Sequence, residues 1–271
     1  MKNKTNRNLF LIFLCCSIMT AAATAVRAVF LFTAYEPKVG YFKAGFPTIF
    51  LSALLLLGIL CCVSPFLLLP RGALDTGKCP NKSFLVFSYA VSAAAFFVCG
   101  VVILITKAII SDILGMTSGF FCLISAIYFI LQIAKLSPKM QQKASALSPW
   151  FCILLIAAQM LLLARSYFDM TVNINGPFTA VYLFSLLSSA VFLLGEMRLE
   201  IGIPSPRLHL SAGLTAFFLC CSTAIGNLLL ILLGDTGNPS VSDPSGAVLL
   251  LATSLFVLTR LLSFRAKTEE N

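Results

Sequence analysis

Residues 50–69 read FLSALLLLGILCCVSPFLLL, twenty positions without a charge. A run of that length matches the roughly 20 residues an α-helix needs to cross the hydrocarbon core of a bilayer. It does not alternate apolar and polar, as the strands of a membrane barrel do over about ten residues. Runs of the same kind recur along the chain. They fall near 9–33, 46–69, 83–106, 110–133, 149–168, 177–197, 209–233 and 246–264. The fold class this predicts is all-α: a polytopic membrane helix bundle of about eight transmembrane helices, with residues 1–271 forming one integral membrane domain. Composition agrees. The chain is 59% apolar and 11% charged, with a mean hydropathy of +0.98, whereas soluble domains carry about a quarter charged residues.

The net charge of +9 is a matter of topology rather than of nucleic-acid binding, because the basic residues sit in short loops between apolar runs. With Arg27, Arg165 and Arg260 set aside as lying in or at the ends of spans, thirteen Lys and Arg fall on one side, Lys135, Lys139 and Lys143 among them. Only Lys38, Lys43 and Lys107 fall on the other. Basic loops stay in the cytoplasm, so both termini are expected there, and the 162–177 stretch faces outward. The compact chain suits a cell membrane, of the bacterial inner type. A second reading of the N-terminus stays open. Lys2, Lys4 and Arg7 precede an apolar run ending in TAAATA at 20–25, the pattern of a cleaved signal peptide, and cleavage would leave seven spans. Against it, apolar text continues to Phe32.

Short matches hint at duplication. Arg27, Phe30 and Thr33 recur as Arg165, Phe168 and Thr171. GFPT at 45–48 resembles GPFT at 176–179, and AFFVC at 95–99 resembles AFFLC at 216–220. Two four-helix halves in parallel orientation, 1–136 and 148–271, would be joined by the polar cytoplasmic loop 135–149. Parallel repeats of this kind occur in transporters.

Ionisable residues inside a membrane are functional candidates. Arg27 lies about two turns from the outer end of the first span, by the 1.5 Å rise per residue. It either snorkels to the headgroups or binds a ligand. Arg165 and Asp169 are four residues apart and share a helix face, capping the fifth span before a turn at Asn173, Asn175 and Gly176. The turn is an ordinary hairpin or an extracytoplasmic mouth. In the second case Arg27 and Arg165 would converge on a small anionic or amphipathic ligand, since the arginine fork suits carboxylate and phosphate. Arg260, one turn from the inner end of the last span, is expected to snorkel. GEMRLE at 195–200 sets Glu196, Arg198 and Glu200 at the inner end of the sixth span, as a self-satisfied helix end or as a docking or gating contact for a cytoplasmic protein partner. Gln132, Gln159 and Asn227 suit interhelical hydrogen bonding, and Gly115–Gly119, a GxxxG pair, suits close helix packing.

No catalytic constellation is present. The one histidine, His209, is placed in or beside an inner loop, away from the outer TSG at 117–119. Nine of ten cysteines lie in apolar runs, without metal-ligand spacing, and are read as small hydrophobes. No cofactor or metal is expected. The leading function is a non-enzymatic, permease-like binding or movement of a small solute or amphiphile. The alternative is a non-catalytic membrane subunit or sensor working through a protein partner.

Overall fold

The computed structural model describes residues 2–36, 41–42, 45–70, 72, 74–76, 82–168, 177–233 and 244–266. Within them are eight helices: α1 (Lys2–Thr33), α2 (Phe46–Leu68), α3 (Lys82–Ile109), α4 (Ile113–Ala134), α5 (Gln141–Phe168), α6 (Pro177–Glu200), α7 (Pro206–Leu232) and α8 (Pro244–Leu261). All eight are long and apolar enough to cross a membrane, which makes this a multi-pass helical membrane protein. Two small antiparallel pairings flank the helices. β1 (Tyr35–Glu36) pairs with β2 (Tyr41–Phe42) beyond the outer end of α1. β3 (Leu74–Thr76), from the α2–α3 connection, pairs with β4 (Phe264–Ala266) after α8.

Helices α3 to α8 close a ring, in which each packs on the next and α8 returns to α3. The axis of the ring is filled by aromatic side chains. The Phe129 ring lies 5.2 Å from that of Phe96 and 5.3 Å from that of Phe256, and Tyr128 and Phe192 meet Phe256 edge-on. Helices α1 and α2 stand outside this ring as a pair. They pack on each other and on α7, while α2 makes no substantial contact with α3, the helix that follows it. Strands β3 and β4 pair at one end of the bundle, β4 touching α1 and β3 touching α7. Helix packing therefore crosses the boundary between residues 1–136 and 148–271, through α1–α7, α2–α7, α3–α8 and α4–α5.

Lipid tails are as apolar as leucine, so helices in a membrane associate through close approach and hydrogen bonds rather than through a hydrophobic drive. Gly119, the second glycine of the GxxxG pair, faces Gly100. A Cβ on Gly100 would lie 2.7 Å from the Leu123 nitrogen, and one on Gly119 would lie 2.9 Å from the Leu104 nitrogen. The two backbones of α3 and α4 touch there. Ser92 Oγ donates to the Ala252 carbonyl at 3.2 Å and joins α3 to α8. Pro65 interrupts α2 and removes the amide that would bond the Cys61 carbonyl. Ser64 Oγ donates to that carbonyl at 2.7 Å instead, so the freed carbonyl keeps a partner. Cys16 on α1 and Cys62 on α2 meet thiol to thiol at 3.4 Å. Facing outward are Phe10, Leu57, Leu67, Ile105 and Trp150, the surface a bilayer covers.

Candidate functional site

Helices α2 and α6 both pack on α7 but hardly on each other. Between them lies an apolar cavity of about 390 Å³, bounded also by α1. Leu51, Leu55, Val181, Phe184 and Leu219 supply much of the wall, and Arg27 enters it from α1. The Arg27 side chain does not snorkel along α1. It is 4% exposed and crosses to α7, where Nη2 donates to Asn227 Oδ1 at 3.0 Å. Gly226 makes the seat, since a Cβ there would stand 2.4 Å from Arg27 Nε. A glycine and an asparagine, adjacent on α7, thus hold one guanidinium at the side of an apolar chamber. Such a chamber lowers the local dielectric, and a fixed cation there attracts an anion more strongly than it would in water.

Arg165 is held elsewhere. Its Nε lies 3.8 Å from Asp112 Oδ2, and Asp112 caps α4 by accepting from the Gly115 amide at 2.9 Å. So Arg27 is tied to α7 and Arg165 to α4, and the two do not converge in the way the duplication suggested. Asp169, Asn173 and Asn175 lie outside the described residues.

The inner cluster is rearranged relative to expectation. Glu196 is buried, 1% exposed, and Arg260 turns sideways to it from α8 rather than snorkelling. Arg260 Nε donates to both carboxylate oxygens, at 2.8 and 3.0 Å. The carboxylate within reach gives the guanidinium a charge-assisted hydrogen-bond partner inside the bundle. His209 Nε2 stands 3.1 Å from Glu196 Oε1. The imidazole packs against Phe192 and Phe264, with ring centres 4.8 and 5.4 Å away. His209 is therefore an interior residue of α7, not a loop residue. Pro206 in the first turn after Ser205 is the start signal from which that could be read.

Glu200 closes a second network, among α4, α5 and α6. Its Oε1 accepts from Gln132 Nε2 at 2.6 Å, Ser148 Oγ at 2.7 Å and Lys135 Nζ at 2.8 Å. Glu196 and Glu200 both have internal partners, and only Arg198 of the three is exposed. The GEMRLE segment thus offers a cytoplasmic partner little beyond Arg198. Gln159 accepts from Ser189 Oγ at 3.2 Å, an interhelical bond between α5 and α6. Among the described residues no group of three or more His, Cys, Asp or Glu is gathered to hold a metal ion. Compared with known protein families, with curated proteins and with solved structures, the chain matches none.

Proposed function

We propose that this membrane protein binds a small anionic amphiphile between α1, α2, α6 and α7 and moves it, as a permease does, without chemical change. The observation that carries the reading is the buried Arg27 guanidinium in the wall of a largely apolar cavity, whose other polar lining residues are Thr48, Ser52 and Ser222. Burying such a group is costly unless it is held by hydrogen bonds and used. The guanidinium donates to phosphate or carboxylate through its fork, and the leucines and phenylalanines beside it suit an alkyl chain. This keeps Arg27 from the outer pair proposed on sequence and leaves Arg165 paired with Asp112, the residue that caps α4.

The test is titration of dodecyl phosphate into the purified protein in a neutral detergent, against Arg27→Gln and Arg165→Gln. Loss of a charge-assisted hydrogen bond weakens binding by about tenfold or more. That loss is expected for Arg27→Gln and not for Arg165→Gln. Equal affinity of the wild type and Arg27→Gln, with both eluting as one folded species, refutes the reading.

A further inference from the structure

The cavity at Arg27 is the outer third of a longer feature. A second cavity of about 490 Å³ continues inward between α2, α6 and α7, and it shares Ile59, Phe184 and Leu219 with the first. A third, of about 450 Å³, shares Phe66 and Leu208 with the second and ends at Arg207. On α2 the lining runs from Thr48 to Phe66, which at 1.5 Å per residue is about 27 Å, close to the roughly 30 Å of a bilayer core. Because α2 and α6 barely touch, the first two sections, which both helices line, lie open between them.

Its polar groups are few and spaced. Arg27 stands at the outer part, with Thr48, Ser52 and Ser222. Three hydroxyls, on Ser188, Ser211 and Thr215, lie in the middle section. Ser188 Oγ donates to the Ser185 carbonyl and Thr215 Oγ1 to the Ser211 carbonyl, each at 2.9 Å. Ser211 Oγ, in a residue 4% exposed, has no hydrogen-bond partner among the described residues. At the inner end Arg207 Nη2 donates to the Phe66 carbonyl, and its guanidinium lies 5.1 Å from the centre of the Phe66 ring. The buried Arg207 Nε is likewise without a partner among the described residues. An unmade buried hydrogen bond is costly, so Ser211 Oγ points to a ligand that satisfies it, and Arg207, partly exposed, offers a cation at the inner end. No Asp or Glu lines any of the three cavities among the described residues. A cationic headgroup such as choline would find no counter-charge there.

We propose that the groove carries an anionic glycerophospholipid between the two leaflets. The head passes from Arg27 by way of Ser211 to Arg207, while the acyl chains stay in the surrounding bilayer. This rests on the anionic-amphiphile reading of the Arg27 cavity and names its substrate class. No covalent step is involved, and the direction follows the lipid gradient.

The experiment uses the full chain in phosphatidylcholine vesicles containing a trace of fluorescent phosphatidylglycerol, or of the phosphatidylcholine carrying the same fluorophore. Dithionite added outside bleaches only outer-leaflet label, so transfer appears as loss of the protected half. The expected result is rapid loss for phosphatidylglycerol and little for phosphatidylcholine. Arg207→Gln should slow transfer by about tenfold, the factor for one charge-assisted bond. Ala212→Trp, which fills the middle section, should stop transfer while dodecyl phosphate still binds at Arg27. Dodecyl phosphate binding that depends on Arg27, without transfer by the wild type, overturns the lipid path and leaves the binding reading standing. Equal transfer of both lipids overturns the anionic selectivity. Wild-type rates in Arg207→Gln overturn the inner station, even if Ala212→Trp fails to fold. Loss of Arg27-dependent binding itself overturns the earlier reading.

Discussion

Replacing Arg260 by leucine should destabilise the bundle far more than replacing Glu196 by leucine, and the two changes together should restore much of the loss. The asymmetry comes from burial. The Glu196 side chain is 2% exposed and that of Arg260 is 24% exposed. Without Arg260 the carboxylate stays in the bundle with only His209 nearby, and removing one partner of a buried pair costs about 3–5 kcal/mol. Without Glu196, Arg260 sits in the last turn of α8 and can extend toward the headgroups, so the loss should be about 1 kcal/mol. With both removed, an apolar contact between α6 and α8 replaces the pair, a change that is often near neutral. The coupling in the double-mutant cycle, the two single losses less a double loss near zero, should therefore be about 4–6 kcal/mol. Reversible unfolding in mixed micelles of increasing dodecyl sulfate content would measure it. A thermal scan should show Arg260→Leu melting about 6–20 °C lower, at roughly 2–4 °C per kcal/mol for a chain of this size. Additive single effects, or an Arg260→Leu loss below about 1 kcal/mol, would refute the idea that the pair rather than its separate side chains holds α6 to α8.

Three further outcomes follow from other contacts. Gly100→Ala and Gly119→Ala should each lose about 1–3 kcal/mol by overpacking, because the clashing atoms are backbone at 2.7–3.0 Å; unfolding of the same kind checks it. Gly226→Ala meets only the Arg27 side chain, so stability should change little while dodecyl phosphate binding falls by about tenfold as the guanidinium leaves its seat. Lys135→Met should cost less than about 1 kcal/mol, since Lys135 is partly exposed and exposed pairs contribute little, whereas Gln132→Leu, which removes a buried donor to Glu200, should cost about 1–3 kcal/mol.

Hydropathy alone located the helices well. The expected spans 46–69 and 177–197 compare with Phe46–Leu68 and Pro177–Glu200. Leaving water is a property of each run by itself, which is why it can be read locally. Which helices neighbour one another could not be read, because lipid-facing and protein-facing positions are equally apolar. In α2, for instance, Leu57 faces out and Cys62 is fully buried, yet both stand in the same unbroken apolar text. The site shows the same division. Arg27 and Asn227 both stood out as polar residues in apolar runs, yet they are 200 positions apart, and nothing in either run names the other. Glu196 and Arg260 belong to different helices for the same reason, and Arg260 was expected to reach water because its partner could not be seen.

The placement of α1 and α2 outside the six-helix ring has a consequence for biosynthesis. The surface they dock on, α7, begins 138 residues after α2 ends, from Leu68 to Pro206. At about 5–20 residues per second the first pair waits roughly 7–28 s in the membrane before that surface has been made. Until then neither wall of the groove has a floor, and Arg27 has neither Gly226 nor Asn227 to receive it. A chain whose synthesis stops before α7 would hold several inserted helices and no groove at all, so a ribosome-stalled intermediate would be a natural client for whatever machinery shelters unpaired membrane segments.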